Sequence, residues 1–307
     1  MIKHLPEGLV PFESCGFERI PEYPLQNQNI IINCRVDGYK EVPNLNLSLN
    51  ECPYKSLKPT NARDNYFSFD IGEFKFGDSI SYYFTTSVET SKTYSFNIQR
   101  EVKHDTPKAL IQNDKGYHLI FENFNFSISI KDGLKITSNK NHVDGTNLNE
   151  INKKINKEFE LIIKRNFFTL QLKRLSEVVL SLNNIKTIED SKGNISNISF
   201  IWDYTAKYIW GTGERFNNVN QKGGYTNGRV VEKYTQQGNE TYLPIPFFST
   251  EQGFGLHRLS NISVKMCFGT ELIISQEVQG NVFTKENIYF GEPKQLIQQY
   301  INNTAKA

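Results

Sequence analysis

The sequence predicts an all-β fold from its aromatic residues, its turn-forming residues and the period of its apolar positions. The chain contains 22 Phe and 15 Tyr against only 2 Trp, and Phe and Tyr favour strands because flat rings pack well on a pleated surface. Its 20 glycines and many asparagines suit the turns that join short strands. In several runs apolar residues alternate with polar ones, which is typical of a sheet with one buried face.

Length and charge describe a globular chain with room for two domains. At 307 residues the chain can hold two domains of ordinary size, each with its own core. Hydrophobic residues make up 38% and charged residues 22% of the sequence, and 35 basic residues nearly balance 33 acidic ones. Nucleic-acid binding needs clustered Lys and Arg, so the composition predicts no nucleic-acid partner.

The first third of the chain predicts a small β-sandwich. Its strand-like runs are short, rich in β-branched or aromatic residues and bounded by Pro, Gly, Asn or Asp; they span residues 30–36, 45–49, 66–71, 79–86 and 93–98. Phe67 and Phe69 alternate with polar neighbours, as one buried face requires. After a lead over residues 1–20, we therefore expect an immunoglobulin- or fibronectin-like sandwich over 21–103, without the usual core Trp of that fold.

A longer β region follows a polar linker. The linker is predicted at residues 101–108 and the second β domain at 104–290. One strand face in this region is formed by alternating apolar residues, Phe124, Phe126, Ile128 and Ile130. Turn dipeptides predict two hairpins, at Asp132-Gly133 and at Lys192-Gly193. The region is too long for one simple sandwich and suits a large sandwich of two sheets.

Two segments depart from the strand pattern. Residues 138–157 are polar and are expected to form a long loop. Residues 291–307 are expected to form a linker helix and a tail, because Pro293 stands near a helix start. The apolar residues of this segment fall on one predicted helical stripe, namely Leu296, Ile297, Tyr300 and Ile301. The sequence therefore predicts a short amphipathic helix there.

Cysteine usage and the N-terminal residues favour a reduced, cytoplasmic compartment. No Cys-x-x-Cys spacing or histidine cluster accompanies the four cysteines, Cys15, Cys34, Cys52 and Cys267. Free thiols are therefore expected rather than disulfides or a zinc site. The first residues lack the apolar core of a secretory signal, and no run is long enough to cross a membrane. We expect no metal, no cofactor and no membrane partner.

The most specific motif lies at residues 210–216, which read WGTGERF. Its two glycines, Gly211 and Gly213, permit a tight backbone course with unusual dihedral angles. A phosphate-binding loop is excluded because no Lys-Ser/Thr pair and no dinucleotide-type spacing follows. From the residues alone, the adjacent Glu214 and Arg215 are expected to form structural ion pairs rather than to take part in chemistry.

Three features follow this motif. Residues 232–239 (EKYTQQGN) taken alone indicate an ordinary solvent-exposed loop. Residues 241–248 (TYLPIPFF) indicate the proline-containing start of a strand, and residues 253–256 (GFGL) indicate a turn. His257 beside that turn has no identifiable partner, so a surface or core position is expected rather than a catalytic one.

Taken in order, these motifs resemble the N-terminal region of glycoside hydrolase family 31, the α-glucosidase and α-xylosidase family. The matching segments are the Gly-x-Gly-Glu-Arg-Phe turn at 211–216, the Asn-x-x-Gly continuation at 220–223, the Tyr-x-x-Pro-Phe strand start at 241–248 with an added Pro, the Gly-Tyr-Gly turn at 253–255 with Phe in place of Tyr, and the Gly-x-Pro-Lys linker helix at 291–300. The resemblance covers about residues 106–306 and is densest after Tyr208. The first β domain has no equally specific resemblance.

The resemblance implies a galactose-mutarotase-like β-super-sandwich that docks on a catalytic (β/α)8 barrel. It implies a structural role for the motif residues Gly213, Glu214, Arg215, Phe216, Tyr242, Pro244 and Pro246. It also implies that the loop at 232–239 projects over the barrel and helps to wall the substrate pocket, with Tyr234, Gln236 and Gln237 as substrate-binding residues. Amide and Tyr side chains suit sugar hydroxyls, which need donors and acceptors at fixed positions.

The catalytic residues of that family have no counterpart in this sequence. A retaining glycosidase needs two carboxylates about 5 Å apart, and the family supplies its nucleophile in a Trp-x-Asp motif followed by Met-Asn-Glu. Residues 202–204 (WDY) lack this spacing and precede the Gly-Glu-Arg-Phe turn. We therefore expect the non-catalytic N-terminal domains of a retaining α-glycosidase, inactive alone. The expected partners are a catalytic barrel of the same polypeptide and an α-linked oligosaccharide, and a homo-oligomer is left open.

Two other functions stay open. A stand-alone carbohydrate-binding sandwich needs exposed aromatic platforms, whereas Trp202 and Trp210 both lie in runs that resemble core strands. Mutarotase activity needs a histidine paired with a carboxylate, and His118, His142 and His257 have no motif neighbours that supply one. The ordered set of family-like motifs favours the first hypothesis.

Overall fold

The structure is a computed structural model that describes residues 1–6, 18–38, 41–131, 133–140, 143–166, 168–215, 217–230, 238 and 241–304. Regular structure in these ranges is almost entirely β-strand, with one short helix near the C-terminus, which confirms the all-β prediction. The chain divides into two compact units. The first comprises Met1–Glu101 and Ile188–Asn194, and the second comprises Val102–Thr187 and Ile195–Ala307.

The first unit is a small sandwich of two sheets. Its strands are β1 (Ile2–Lys3), β2 (Arg19–Ile20), β3 (Ile30–Val36), β4 (Asn44–Leu49), β5 (Lys55–Leu57), β6 (Asn61–Arg63), β7 (Tyr66–Gly72), β8 (Ser79–Thr85) and β9 (Tyr94–Asn97). One sheet has the order β1-β3-β7-β6, with β2 also paired to β3, and the other has the order β5-β4-β8-β9. Alternate residues of β3 and β8 are buried. Phe67 and Phe69 of β7 are buried as well, so the predicted apolar face is confirmed.

The second unit contains the remaining strands and the helix. Strand β10 (Arg100–His104) begins in the first unit and continues into the second. The further elements are β11 (Ala109–Asn113), β12 (Gly116–Ile120), β13 (Asn125–Ser129), β14 (Leu134–Asn139), β15 (Thr146–Leu148), β16 (Glu150–Lys154), β17 (Phe159–Lys164), β18 (Thr169–Arg174), β19 (Glu177–Glu189), β20 (Ile195–Tyr204), β21 (Ile209–Gly213), β22 (Tyr225–Asn227), β23 (Pro244–Thr250), β24 (Phe254–Arg258), β25 (Val264–Phe268), β26 (Leu272–Glu277), β27 (Val282–Phe290) and the helix α1 (Pro293–Thr304).

Two nine-stranded sheets build this unit. The first, called the β20 sheet, has the order β16-β17-β18-β19-β20-β26-β25-β22, with β10 paired to β19. The second, called the β14 sheet, has the order β15-β11-β12-β13-β14-β27-β24-β23-β21. Aromatic rings of the two sheets meet in the core, where the ring centroids of Phe126 and Phe200 lie 5.4 Å apart and those of Phe248 and Phe268 lie 5.5 Å apart. The predicted large sandwich of two sheets is therefore confirmed.

An ion pair lies inside this core. Arg258 of β24 and Glu286 of β27 are cross-strand partners, and both side chains are fully buried. The Nε of Arg258 donates a hydrogen bond of 2.8 Å to Oε1 of Glu286, and the guanidinium carbon lies 4.8 Å from the centre of the Phe200 ring. Burial raises the pKa of Glu286, although the nearby Arg258 acts in the opposite direction. No sequence pattern predicted this pair.

Helix α1 covers part of the outer face of the β14 sheet. Leu296 is buried against the sheet, and the Tyr300 ring stacks on Phe247 with centroids 4.4 Å apart. The predicted helix is confirmed, but only half of its apolar stripe packs on the sheet, because Ile297 and Ile301 are 48% and 44% exposed. Each residue turns the helix by about 100°, so Leu296 and Tyr300 share one line and the two isoleucines lie on the next.

Two strands replace part of a predicted loop. Residues 138–157 were expected to be irregular, yet β15 pairs with β11 and β16 pairs with β17. Both strands lie at the ends of their sheets, and Ile151 is the one residue in them that is buried. Edge strands face solvent and carry polar residues, so the alternating apolar signal that predicts a strand is missing here.

The two predicted hairpins are formed. Strands β13 and β14 pair antiparallel, and Gly133, whose φ is +94°, lies between them; Asp132 lies outside the described residues. Strands β19 and β20 are neighbours, and the N–H of Gly193 donates a 3.0 Å hydrogen bond to the carbonyl of Asp190 at their turn.

The cysteines in the described ranges are unpaired. Cys34, Cys52 and Cys267 are free thiols, whereas Cys15 lies outside the described residues. Within those residues, no three His, Cys, Asp or Glu side chains come close enough to hold a metal ion. No helix among them has the length and apolarity that a membrane crossing requires.

Candidate functional site

The predicted substrate-binding residues lie outside the part of the chain that the structure describes. This concerns Tyr234, Gln236 and Gln237, together with Phe216 of the motif. The residues on either side of the segment 231–240 are described, however, and they show how this segment is attached. Val230 and Thr241 form a parallel β-bridge. The chain therefore enters and leaves the segment at the same place.

The glycine-rich motif forms a bulge at the end of β21. Gly211, Thr212 and Gly213 follow one another with φ values of 124°, 71° and 96°. A Cβ atom on Gly213 would lie 2.1 Å from the carbonyl oxygen of Leu243, so only glycine fits there. The pairing of β21 with β23 shifts register between the two glycines. Positive φ at a β-branched residue such as Thr212 is rare, and the surrounding contacts must hold this residue in place.

Arg215 holds this bulge and connects the two sheets. Its Nε donates 3.0 Å hydrogen bonds to the carbonyl oxygen and to the Oγ1 of Thr212. Its Nη2 donates to the carbonyl of Asn227, at 3.3 Å, on β22 of the β20 sheet. Desolvation by burial lowers the pKa of Arg215 to about 10, so the guanidinium is still charged at neutral pH. This geometry gives Arg215 a structural task.

Glu214 and Thr241 fix the far side of the segment. Glu214 is exposed, and its carboxylate accepts a 2.9 Å hydrogen bond from the hydroxyl of Tyr242. This hydrogen bond raises the pKa of Tyr242. The hydroxyl of Thr241 donates to the carbonyl of Glu214 and accepts from the N–H of Leu243 at 3.0 Å. The side chain of Glu214 is thus hydrogen-bonded to a tyrosine. The predicted ion pair of Glu214 with a basic side chain is not found among the described residues.

A cleft lies beside the base of the segment. Its volume is about 360 Å³. It is lined by the polar side chains of Arg215, Thr226 and Ser263 and by the apolar side chains of Pro244, Pro246 and Val264. Such a mixture of apolar surface and a few convergent polar groups is typical of sites for small polar ligands. The sequence motifs contain Arg215 and the two prolines. The residues around Ser263 belong to no motif, and strand pairing between distant parts of the chain brings them to the cleft.

His118 lies in a different cavity, on the outer face of the β14 sheet, and its ring is fully engaged. The N–H of Lys115 donates to Oδ1 of Asn113 at 2.9 Å, which identifies this amide oxygen as an acceptor. The Nε2 of His118 lies 2.9 Å from that oxygen and therefore donates to it, while Nδ1 lies 2.8 Å from the hydroxyl of Ser127. Burial lowers the pKa of His118. With both nitrogens occupied, the arrangement does not support mutarotase chemistry.

Of the other histidines and the tryptophans that the structure describes, His257 and Trp202 are buried and Trp210 is partly exposed. His257 is buried and meets the Tyr300 ring edge-on, with centroids 4.8 Å apart, so its core position is established. His142 lies outside the described residues. Trp202 is fully buried, as its strand pattern predicted. Trp210 is not a core residue, since it is only partly buried and alternates with the inward-facing Ile209; its assignment to a core strand was wrong.

Comparison with known proteins relates this fold to carbohydrate-processing enzymes. No protein-family model matches the chain. An isomaltosyltransferase from Sporosarcina globispora is 27% identical over 105 residues, which are 32% of this chain and 10% of that protein.

Several solved structures match almost the whole chain. The cycloalternan-forming enzyme from Listeria monocytogenes, in complex with a pentasaccharide substrate, matches with a TM-score of 0.76 at 16% identity over 99% of this chain and 33% of its own. The cycloalternan-degrading enzyme from Trueperella pyogenes matches with a TM-score of 0.56 at 16% identity over 99% of this chain and 36% of its own. The chain therefore shares the fold of part of these enzymes and spans about a third of their length.

Proposed function

We propose that this chain is the non-catalytic N-terminal portion of an α-glycoside-processing enzyme of the glycoside hydrolase family 31 type. In this role it supports, and forms one wall of, the active site of a (β/α)8 barrel that lies outside this chain. The observation that carries the proposal is the fold match, which takes in 99% of this chain but only a third of the cycloalternan-forming enzyme. The ordered motifs from Tyr208 to Tyr300 and the aligned stretch of the isomaltosyltransferase support the same role.

The segment 231–240 is the part that we propose to face the substrate. Its two ends meet at the bridge between Val230 and Thr241, and Arg215 ties the adjoining bulge to both sheets. A loop on such a rigid base can present side chains at fixed positions. Tyr234, Gln236 and Gln237 would then offer a flat apolar face together with amide donors and acceptors to an α-linked oligosaccharide.

Helix α1 would lead from the sandwich to the barrel. Its Leu296 and Tyr300 pack on the β14 sheet, while Ile297 and Ile301 face outward. Two isoleucines four residues apart form a continuous apolar line on a helix. This line is the surface that we propose to contact the barrel, whose residues would determine whether a glucoside, a xyloside or another α-glycoside is used.

Two measurements test the proposal. The purified chain is expected not to hydrolyse an aryl α-glucoside, and turnover at an enzyme-like rate by this chain would contradict the proposed division of labour. The coding sequence after codon 307 is expected to continue in frame into a barrel with a Trp-x-Asp nucleophile strand. A stop codon at that point would contradict the proposal and favour a protein that binds carbohydrate by itself.

A further inference from the structure

Tyr208 and Trp210 form a pair of parallel aromatic rings on the surface of the second unit. Ile209 between them is fully buried, and strand alternation therefore turns Trp210, the next residue of β21, to the outer face of the β14 sheet. Tyr208 is 52% exposed, and Trp210 is partly exposed. Their ring planes differ by only 4°, with centroids 6.1 Å apart. The two rings are therefore stacked with parallel planes, and the pair is partly exposed to solvent.

The backbone under this pair is held on both sides. The carboxylate of Glu251 accepts hydrogen bonds from the N–H groups of Lys207, at 2.5 Å, and of Tyr208, at 3.0 Å. The amide oxygen of Asn220 accepts from the N–H of Ile209 at 3.0 Å, and its Nδ2 donates to the carbonyl of Lys207 at 3.1 Å. A surface that is already ordered loses little conformational entropy when a ligand binds.

The polar tips of the two rings have no partner among the described residues. Neither the Tyr208 hydroxyl nor the Trp210 indole N–H forms a hydrogen bond there. The surroundings carry charges of both signs, because Lys207 and Lys222 lie near Glu251. Polar surroundings of mixed charge and two polar ring tips suit a neutral ligand with hydroxyl groups.

We propose that Tyr208 and Trp210 form a stacking surface for the hexopyranose rings of a neutral oligosaccharide. One face of a pyranose ring exposes C–H groups, which pack on an aromatic face, and its hydroxyls can bond to the Tyr hydroxyl and the Trp N–H. A protein partner fits less well, because a stable interface buries about 800 Å² on each partner. One aromatic side chain contributes about 150–250 Å², and the two rings have a polar rim.

This inference goes beyond the proposed function because it requires neither the barrel nor the segment 231–240. Binding is a property of the chain alone. If the chain does not bind saccharide at Tyr208 and Trp210, the proposed function is unaffected. If the chain proves not to be part of a barrel enzyme, saccharide binding at these two residues is unaffected. Trp210, which was expected in a core strand, would then be a ligand-binding residue on the surface.

The test uses the purified chain and two α-linked trisaccharides, isomaltotriose and maltotriose. The chain has 2 Trp, and Trp202 is fully buried, so a saccharide-dependent change in fluorescence reports mainly on Trp210. We expect a saturable change with at least one trisaccharide and none with glycerol. Calorimetry should give about tenfold weaker binding for Tyr208→Ala and for Trp210→Ala, since one ring contact is worth about 1.4 kcal/mol.

Matched variants separate stacking from other effects. Tyr208→Phe keeps the ring and should bind more tightly than Tyr208→Ala. Tyr225→Ala removes an exposed Tyr from the β20 sheet and should bind as the unchanged chain does. Circular dichroism checks the fold of each variant. If Trp210→Ala does not fold, Tyr208→Ala is the decisive variant, because Tyr208 is exposed. The proposal is overturned if neither trisaccharide binds, or if Tyr208→Ala binds as tightly as the unchanged chain.

Discussion

The guanidinium of Arg258 and the carboxylate of Glu286 form an ion pair inside the sandwich of the second unit, where both side chains are fully buried. Arg258 Nη1 and Glu286 Oε2 have no hydrogen-bond partner among the described residues. A buried pair of this kind adds little net stability compared with apolar packing, but it is expensive to break from one side. Removing either charge would therefore leave the other one buried and unpaired.

Removing one charge of this pair should destabilise the second unit strongly. Glu286→Gln keeps the shape of the side chain but leaves Arg258 charged and buried, so we expect a loss of about 3 kcal/mol in the free energy of unfolding. The double variant Arg258→Met/Glu286→Leu should lose less. Urea denaturation measures both. Glu122→Gln breaks the exposed pair with Lys108 and should change stability by less than about 1 kcal/mol; a similar effect of Glu286→Gln would contradict the prediction.

Gly213→Ala should be more harmful than a comparable change at another glycine. Both Gly213 and Gly193 have positive φ, but an added Cβ meets the Leu243 carbonyl oxygen at Gly213 and finds open space at Gly193. We expect Gly193→Ala to lose about 1 kcal/mol from backbone strain alone. Gly213→Ala should lose clearly more, because the β21–β23 pairing must shift. Thermal unfolding of the two variants checks this order, and equal losses would contradict it.

Tyr300→Ala should release helix α1 from the sheet without unfolding the sandwich. The substitution removes the stack on Phe247 and the edge contact with His257, and we expect a local loss of about 2 kcal/mol. Hydrogen exchange of the amides of residues 296–304 should accelerate, while that of the central strands is retained. Ile301→Ala is the control, since that side chain faces outward; equal acceleration in both variants would disagree with the proposed packing.

Stability should fall below neutral pH partly because of His257. Burial lowers the pKa of His257 to about 4, whereas an unfolded histidine titrates near about 6.5. Between these values the unfolded chain binds a proton that the folded chain does not. Stability from neutral His257 is therefore complete above about pH 6.5 and is lost towards pH 4, by at most about 1.4 kcal/mol per pH unit. Urea midpoints at several pH values should show a shallower slope for His257→Gln than for the unchanged chain.

The period of apolar residues predicted most of the core and failed in strands that have almost no buried side chains. Runs such as β3 and β8 alternate clearly because every second side chain enters a core. Strands β15 and β16 were missed because their edge positions leave almost all side chains in solvent. Helix α1 was found, but which of two adjacent apolar lines packs on the sheet depends on Phe247, which is distant in sequence.

The candidate site was predicted in part. The WGTGERF motif located the bulge, since its glycines and Arg215 act within a few residues of one another. The acceptor of Arg215 on Asn227 and the cleft wall at Ser263 depend on strand pairing that no local pattern encodes. Trp210 was placed in the core because its run is apolar overall. Only its alternation with Ile209 shows that it faces outward.

The bridge between Val230 and Thr241 has a consequence for how this protein can change. Because the two ends of the segment meet, its closure entropy grows only slowly with added residues. Insertions, deletions and new side chains can accumulate there while the sandwich keeps its register. If the segment faces the substrate as we propose, its length and its side chains can therefore change between related proteins while the scaffold is inherited unchanged.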